Sequence, residues 1–135
     1  MSTYFGTSIN ESPTIVLPAG AKLENARGIA LSVQDGAVVK PTAGAHVIGI
    51  SLIETDEIVE KGGDVDIQIK DVGKWVAGEK LAIGTELTTN AVGKAVAAKA
   101  GDFIVGIALS NATKAGTWIQ VQIINAGYKP ATATA

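Results

Sequence analysis

Two nine-residue stretches constrain this chain more than anything else in it. Residues Gly44 to Leu52 read Gly-Ala-His-Val-Ile-Gly-Ile-Ser-Leu, and Gly101 to Leu109 read Gly-Asp-Phe-Ile-Val-Gly-Ile-Ala-Leu. Four of the nine positions are identical and two more exchange Val with Ile. Short apolar runs rich in β-branched residues and bounded by turn residues suit strands buried on both faces. A glycine inside each run, Gly49 and Gly106, marks a bulge or a place where another backbone comes close.

The match continues on both sides. Ala19-Gly20-Ala21-Lys22-Leu23 is answered by Ala77-Gly78-Glu79-Lys80-Leu81, and Gly28-Ile29-Ala30-Leu31 by Gly84-Thr85-Glu86-Leu87. Asp35 to Lys40 corresponds to Val92 to Ala97, and Val65 to Ile69 to Ile119 to Ile123. Insertions and deletions between the copies fall between strands, where loops tolerate them. Two copies are too few for a stacked solenoid, which needs about three. The expectation is an all-β fold, a small β-barrel or β-sandwich built from an internal two-fold sequence repeat, with an extended N-terminal arm. Its organisation reads as an arm over 1–17, one pseudo-symmetric domain over 18–128 with copies at about 18–70 and 76–124, and a disordered tail over 129–135.

At 135 residues the chain is one ordinary domain. Hydrophobic residues make up 47% but aromatics only 4%, so the core must come from Ala, Val, Ile and Leu. A charged fraction of 18% is below the usual quarter and suits a surface that faces other protein. The net charge of -2 comes without a basic stripe or interleaved aromatics, which argues against nucleic acid. Without cysteine there is no disulfide and no thiolate metal site. The first ten residues lack the basic and apolar blocks of a secretory signal, and no apolar run reaches the roughly 18 residues of a membrane span.

In chain order, Met1 to Ser12 is polar and aperiodic, and Thr14 to Leu17 forms a strand confined by Pro13 and Pro18 to a sheet edge. Strands are expected at Ile29 to Val33 and Ala37 to Lys40 around a Gln34-Asp35-Gly36 turn, then at His46 to Ile53 and Val65 to Ile69. The second copy opens after Asp71-Val72-Gly73-Lys74, with strands at Leu81 to Leu87, Gly93 to Ala98 and Trp118 to Ile124. In the last, Gln120 and Gln122 share one face, and Ile119, Val121 and Ile123 the other.

Chemistry-bearing patterns are few, and no catalytic, cofactor-binding or metal-ligating residue is assigned. His46 is the lone histidine, its counterpart is Phe103, and a side chain interchangeable with Phe packs rather than catalyses. No second His or any Cys offers a triad partner. Glu54, Asp56, Glu57, Glu60, Asp64 and Asp66 lack the Gly and ligand spacing of an EF-hand loop and read as a solvated connector that discourages edge pairing. Lys61-Gly62-Gly63 lacks the surroundings of a phosphate loop.

Ala77-Gly78-Glu79-Lys80-Leu81, an Ala/Val/Lys strand, Gly101 to Leu109 and a final Trp118-Ile119-Gln120-Val121-Gln122-Ile123 together resemble bacteriophage capsid decoration, or cement, proteins. The resemblance covers about residues 76 to 124, and 19 to 69 through the repeat. It implies a small all-β structural protein, not an enzyme and without cofactor, assembled in the host cytoplasm and bound to the outer surface of the virion. The implied partners are the major capsid protein and further copies of itself, a homotrimer ahead of a dimer. Within the arm, Thr3, Tyr4, Phe5, Ile9, Ile15 and Val16 are the expected capsid contacts, since such residues can add a strand to an exposed sheet edge. Two readings from other classes stand beside it. A lipoyl- or biotinyl-type carrier domain would use Lys74, and a carbohydrate-binding module would use Trp75 and Trp118.

Overall fold

The computed structural model describes residues 12–131. They form twelve strands and, among the described residues, no helix. In the first half of the chain these are β1 (Thr14–Pro18), β2 (Leu23–Glu24), β3 (Ala30–Gln34), β4 (Ala37–Val39), β5 (Gly49–Ser51), β6 (Ile58–Val59) and β7 (Asp64–Gln68). The second half contributes β8 (Asp71–Val76), β9 (Glu86–Thr89), β10 (Ala95–Ala97), β11 (Phe103–Ala108) and β12 (Trp118–Tyr128). The fold is all-β, as the sequence requires.

Two five-stranded sheets carry it. The first runs β1-β7-β5-β3-β4 and the second β8-β12-β11-β9-β10, while β2 and β6 pair separately. Matched position by position, the two orders are the same. Each sheet curls until its outer strands meet at one parallel bridge, Ala19 with Val38 and Ala77 with Ala95. The turns after β1 and β8 are tied alike: Gly20 N donates to Val38 O at 2.8 Å, and Gly78 N to Ala95 O at 2.7 Å. A single bridge leaves each sheet open along the rest of its length, so neither closes as a barrel.

Glycine is forced at the first residue of β5 and in the interior of β11. A Cβ on Gly49 would stand 2.2 Å from Gln68 O, and one on Gly106 would stand 2.2 Å from Gln122 O. These are contacts that only a missing side chain permits.

Each sheet buries its own apolar face. Leu23, Ile29, Leu31, Val38, Val65 and Ile67 form one core. Trp75, Leu87, Phe103, Val105, Ile119, Val121 and Ile123 lead the other, which also takes in Ala30, Val47 and Ile50 from the first half. β12 alternates as expected, with Ile119, Val121 and Ile123 buried and Gln120 and Gln122 exposed.

Several boundaries differ from the sequence reading. Asp71 to Lys74, read as a connector, is most of β8, which pairs antiparallel with Trp118 to Ile123. Its inward residues are Gly73 and Trp75, a pair too mixed in size to look like an apolar alternation. Leu81 lies outside the strand expected at 81–87 and makes an isolated bridge with Ala112, because Ile83 to Thr85 turn at Gly84, where φ is +91°. The strand expected at His46 to Ile53 contracts to three residues.

β12 in turn runs past Ile124 to Tyr128 through a bulge, where the register with β11 shifts between Ile104 and Gly106. Asn125 and Gly127 take positive φ there, 42° and 92°. Lys129, assigned by sequence to the tail, is tied down: its N–H donates to Asp102 O, its carbonyl accepts from Gly101 N, and its ammonium pairs with Glu86 at 3.0 Å. Residues 14–17, counted with the arm, form an edge strand whose register places Thr14 opposite Gln68.

Candidate interaction surfaces

Where the two halves meet, the chain makes its most specific contacts, and they start from a difference in hairpin length. β3 and β4 are joined by Asp35-Gly36, whose φ values of 52° and 77° make a tight two-residue turn. β9 and β10 are joined by the longer loop Asn90 to Lys94, folded by the Asn90 side chain. Its Oδ1 accepts from Val92 N at 3.1 Å and Lys94 N at 2.9 Å.

The longer loop reaches the first half. Gly93 O accepts from Ala30 N at 2.7 Å and from Trp75 Nε1 at 2.8 Å. One carbonyl thus joins β3, the β9–β10 loop and β8, and it satisfies the only polar atom of the buried Trp75 side chain. A Cβ on Gly93 would stand 2.8 Å from Ala30 O.

Further contacts extend this junction on both sides. Val76 N donates to Gly28 O at 3.0 Å, Gly44 N to Thr89 O at 2.8 Å, and Phe103 N to Gly44 O at 3.0 Å. Ser51 braces the Gly28 turn from below: its buried hydroxyl accepts from Ile29 N and donates to Ala26 O. Over that turn lies Trp118, so close that a Cβ on Gly28 would stand 2.3 Å from its ring. His46 and Phe103, the two residues matched by the repeat, meet edge to face with ring centres 4.7 Å apart. Packing against an aromatic is the role expected of His46, although its side chain is exposed.

The junction is directional. The first half offers Gly28, Ala30 and Gly44, and the second offers Trp75, Val76, Gly93 and Trp118. The matching surface of the second half, around Gly84 and Gly101, has nothing within 4 Å of either glycine's Cβ position, and Ile83 beside it is 60% exposed. At the tip of the short first hairpin, Gly36 is equally open.

Of the expected capsid contacts, Thr3, Tyr4, Phe5 and Ile9 lie outside the described residues. Ile15 packs half-buried against the first core, and Val16 is 55% exposed. A groove of about 230 Å³ opens close to where the chain enters its first sheet, lined by Gln68 with Ile53, Val72 and Lys74. Lys74, the candidate carrier lysine, lies inside β8 opposite Gln120, not at the tip of a hairpin where a ligase could reach around it. Trp75 is fully buried and unavailable to a sugar; Trp118 remains accessible. Sequence reasoning missed the junction, and the one signal for it was the longer second hairpin.

No protein-family description matches this sequence, and no curated protein sequence does either. Among solved structures, the crystal structure of the head fiber gp8.5 N base in bacteriophage phi29 is similar, with a TM-score of 0.63 at 19% identity. The alignment covers 86% of this chain and 97% of that one. At this identity it is the fold that the two share, over nearly the whole of both.

Proposed function

We propose that this chain is a structural protein of a bacteriophage virion, located on the outer surface of the head and assembled there from the host cytoplasm. In this reading it binds the major capsid protein and braces the expanded shell, with no catalytic role and no cofactor. The observation that carries the proposal is the match of fold to a phage head fiber base across almost the full length of both chains. The sequence resemblance to decoration proteins supports it from a separate direction.

Self-association belongs to the same reading. The contact between halves is heterologous, one face onto a different face, and each half keeps one of the two faces uncovered. The open surface around Gly84 and Ile83 in one chain and the short-hairpin end of the first half in the next repeat that relation between molecules. Heterologous contacts that close give rings, so a homotrimer is the favoured state; the alternative dimer would use a two-fold contact instead. The shared strand order is taken here as the mark of an internal duplication. Residues 1–12 are the proposed docking device, joining the fold beside the groove at Gln68 and adding a strand to a neighbour's sheet edge, with several arms multiplying a weak contact.

The test is co-sedimentation of the purified protein with expanded capsids that lack it, compared with a variant missing residues 1–12. Full-length protein is expected to saturate the capsids. The truncated protein should keep its melting transition and oligomeric state but bind at least tenfold more weakly, about 1.4 kcal/mol. Absence of capsid binding by the full chain refutes the function; equal binding by both refutes only the role of the arm.

A further inference from the structure

We propose that the cleft at the junction beneath Trp118 binds an anionic saccharide. This does not depend on the capsid reading above. The cleft measures about 280 Å³, near the lower end of small-ligand sites, which begin at about 300 Å³, and suits one or two sugar rings. Both halves build it: Asn25, Arg27 and Glu57 come from the first, Lys94 and Trp118 from the second.

Three features point to a sugar. The first is an aromatic wall fixed in place. Trp118 is 38% exposed in a chain with few aromatics, yet its ring is seated on the Gly28 turn and its backbone is paired with Val76. An aromatic face attracts the polarised C–H groups of a pyranose ring, and a rigid one loses little entropy on binding.

The second is a set of uncommitted polar groups around that wall. Among the described residues, the side chains of Asn25, Glu57 and Lys94 make no hydrogen bond or ion pair, and Arg27 uses only Nε, to Thr55 O at 2.6 Å. A guanidinium, an ammonium, an amide and a carboxylate form the kind of mixed donor and acceptor ring that hydroxyl groups satisfy.

The third feature is charge. Two cations against one carboxylate leave the cleft net positive in a protein whose formal charge is -2. An acidic substituent on the sugar therefore has charge-assisted partners in Arg27 and Lys94, while Glu57 is left for hydroxyls. A neutral sugar would leave the excess cation without a role.

Calorimetric titration of the full chain with trigalacturonic acid, using maltotriose as the neutral counterpart, tests this. Saturable binding of trigalacturonic acid is expected, at least tenfold tighter than maltotriose. It should quench Trp fluorescence, because Trp75 is buried and Trp118 alone faces the cleft. Trp118→Leu should weaken binding at least tenfold, and Lys94→Gln, whose half-buried side chain makes no hydrogen bond or ion pair that the fold would lose, at least threefold. Rising salt should weaken it further. The proposal is overturned if trigalacturonic acid does not bind, if maltotriose binds equally well, or if Lys94→Gln and a folded Trp118→Leu both bind as the parent does.

Discussion

The two halves share one strand frame and use it differently. Where strand crosses strand they are built alike: Gly49 against Gln68 O and Gly106 against Gln122 O give the same 2.2 Å approach. In their loops they part. Gly28 is pressed by Trp118 while its counterpart Gly84 stands free, and Gly93 is pressed by Ala30 while Gly36 stands free. All four have positive φ. Backbone geometry is therefore alike in both halves, but only one member of each pair has a neighbour. Strand crossings are fixed by the sheet itself, whereas loop contacts are fixed by whatever the sheet meets.

The largest effect should come from the shared crossings. Gly49→Ala and Gly106→Ala each drive a methyl group into a backbone carbonyl, and each should cost about 3 kcal/mol or more in denaturant unfolding. Similar losses are expected from both; a difference beyond about 1.5 kcal/mol would mean that the crossings are not equivalent.

The loop pair separates next. Gly28→Ala combines a positive φ with a clash against the Trp118 ring and should cost about 2–4 kcal/mol, while Gly84→Ala carries only the backbone strain, about 1–2 kcal/mol. Equal losses in a chemical melt would show that the Gly28 turn is not pressed. The two tryptophans give the finest contrast. Trp75→Phe removes a buried hydrogen bond and leaves a void, about 2–3 kcal/mol, whereas Trp118→Phe at the rim should change stability by less than about 1 kcal/mol. If the rim substitution proved the costlier, the junction would be held from outside, not by Trp75.

How much of this was legible in the sequence follows from the same distinction. The repeated nonapeptides revealed both central strands and their glycines, because a strand buried on two faces has to be continuously apolar. Gln120 and Gln122 betrayed the orientation of β12 through simple alternation. β8 was hidden because its inward positions are Gly73 and Trp75, the smallest and largest residues available, and its outward ones include the apolar Val72. The contraction of the expected Leu81 to Leu87 strand was hidden for another reason: Gly84 takes a turn that an apolar count does not register.

The candidate surfaces were harder to read than the fold. Trp75 and Trp118 are indistinguishable by composition; Trp75 is inward on β8 and sits in the core with its indole bonded to Gly93 O, while Trp118 is 38% exposed. Junction contacts made by backbone atoms, such as Gly93 O and Gly28 O, leave almost no trace in side-chain chemistry.

The identical strand order has a cost during folding. With the same order in both sheets, β7 and β12 hold equivalent places beside β1 and β8, so exchange of the two partners is an alternative pairing that the side chains must disfavour. Trp75 breaks that tie. Its indole nitrogen finds an acceptor in Gly93 O and its ring a berth with Ala30, Val47 and Ile50, a setting assembled only when both sheets are correctly paired. A β8 strand paired with the wrong neighbour would leave the indole nitrogen without that acceptor, a loss of about 1–3 kcal/mol against the correct pairing. The residue that joins the halves in the finished molecule thus also weights the correct pairing over the exchanged one.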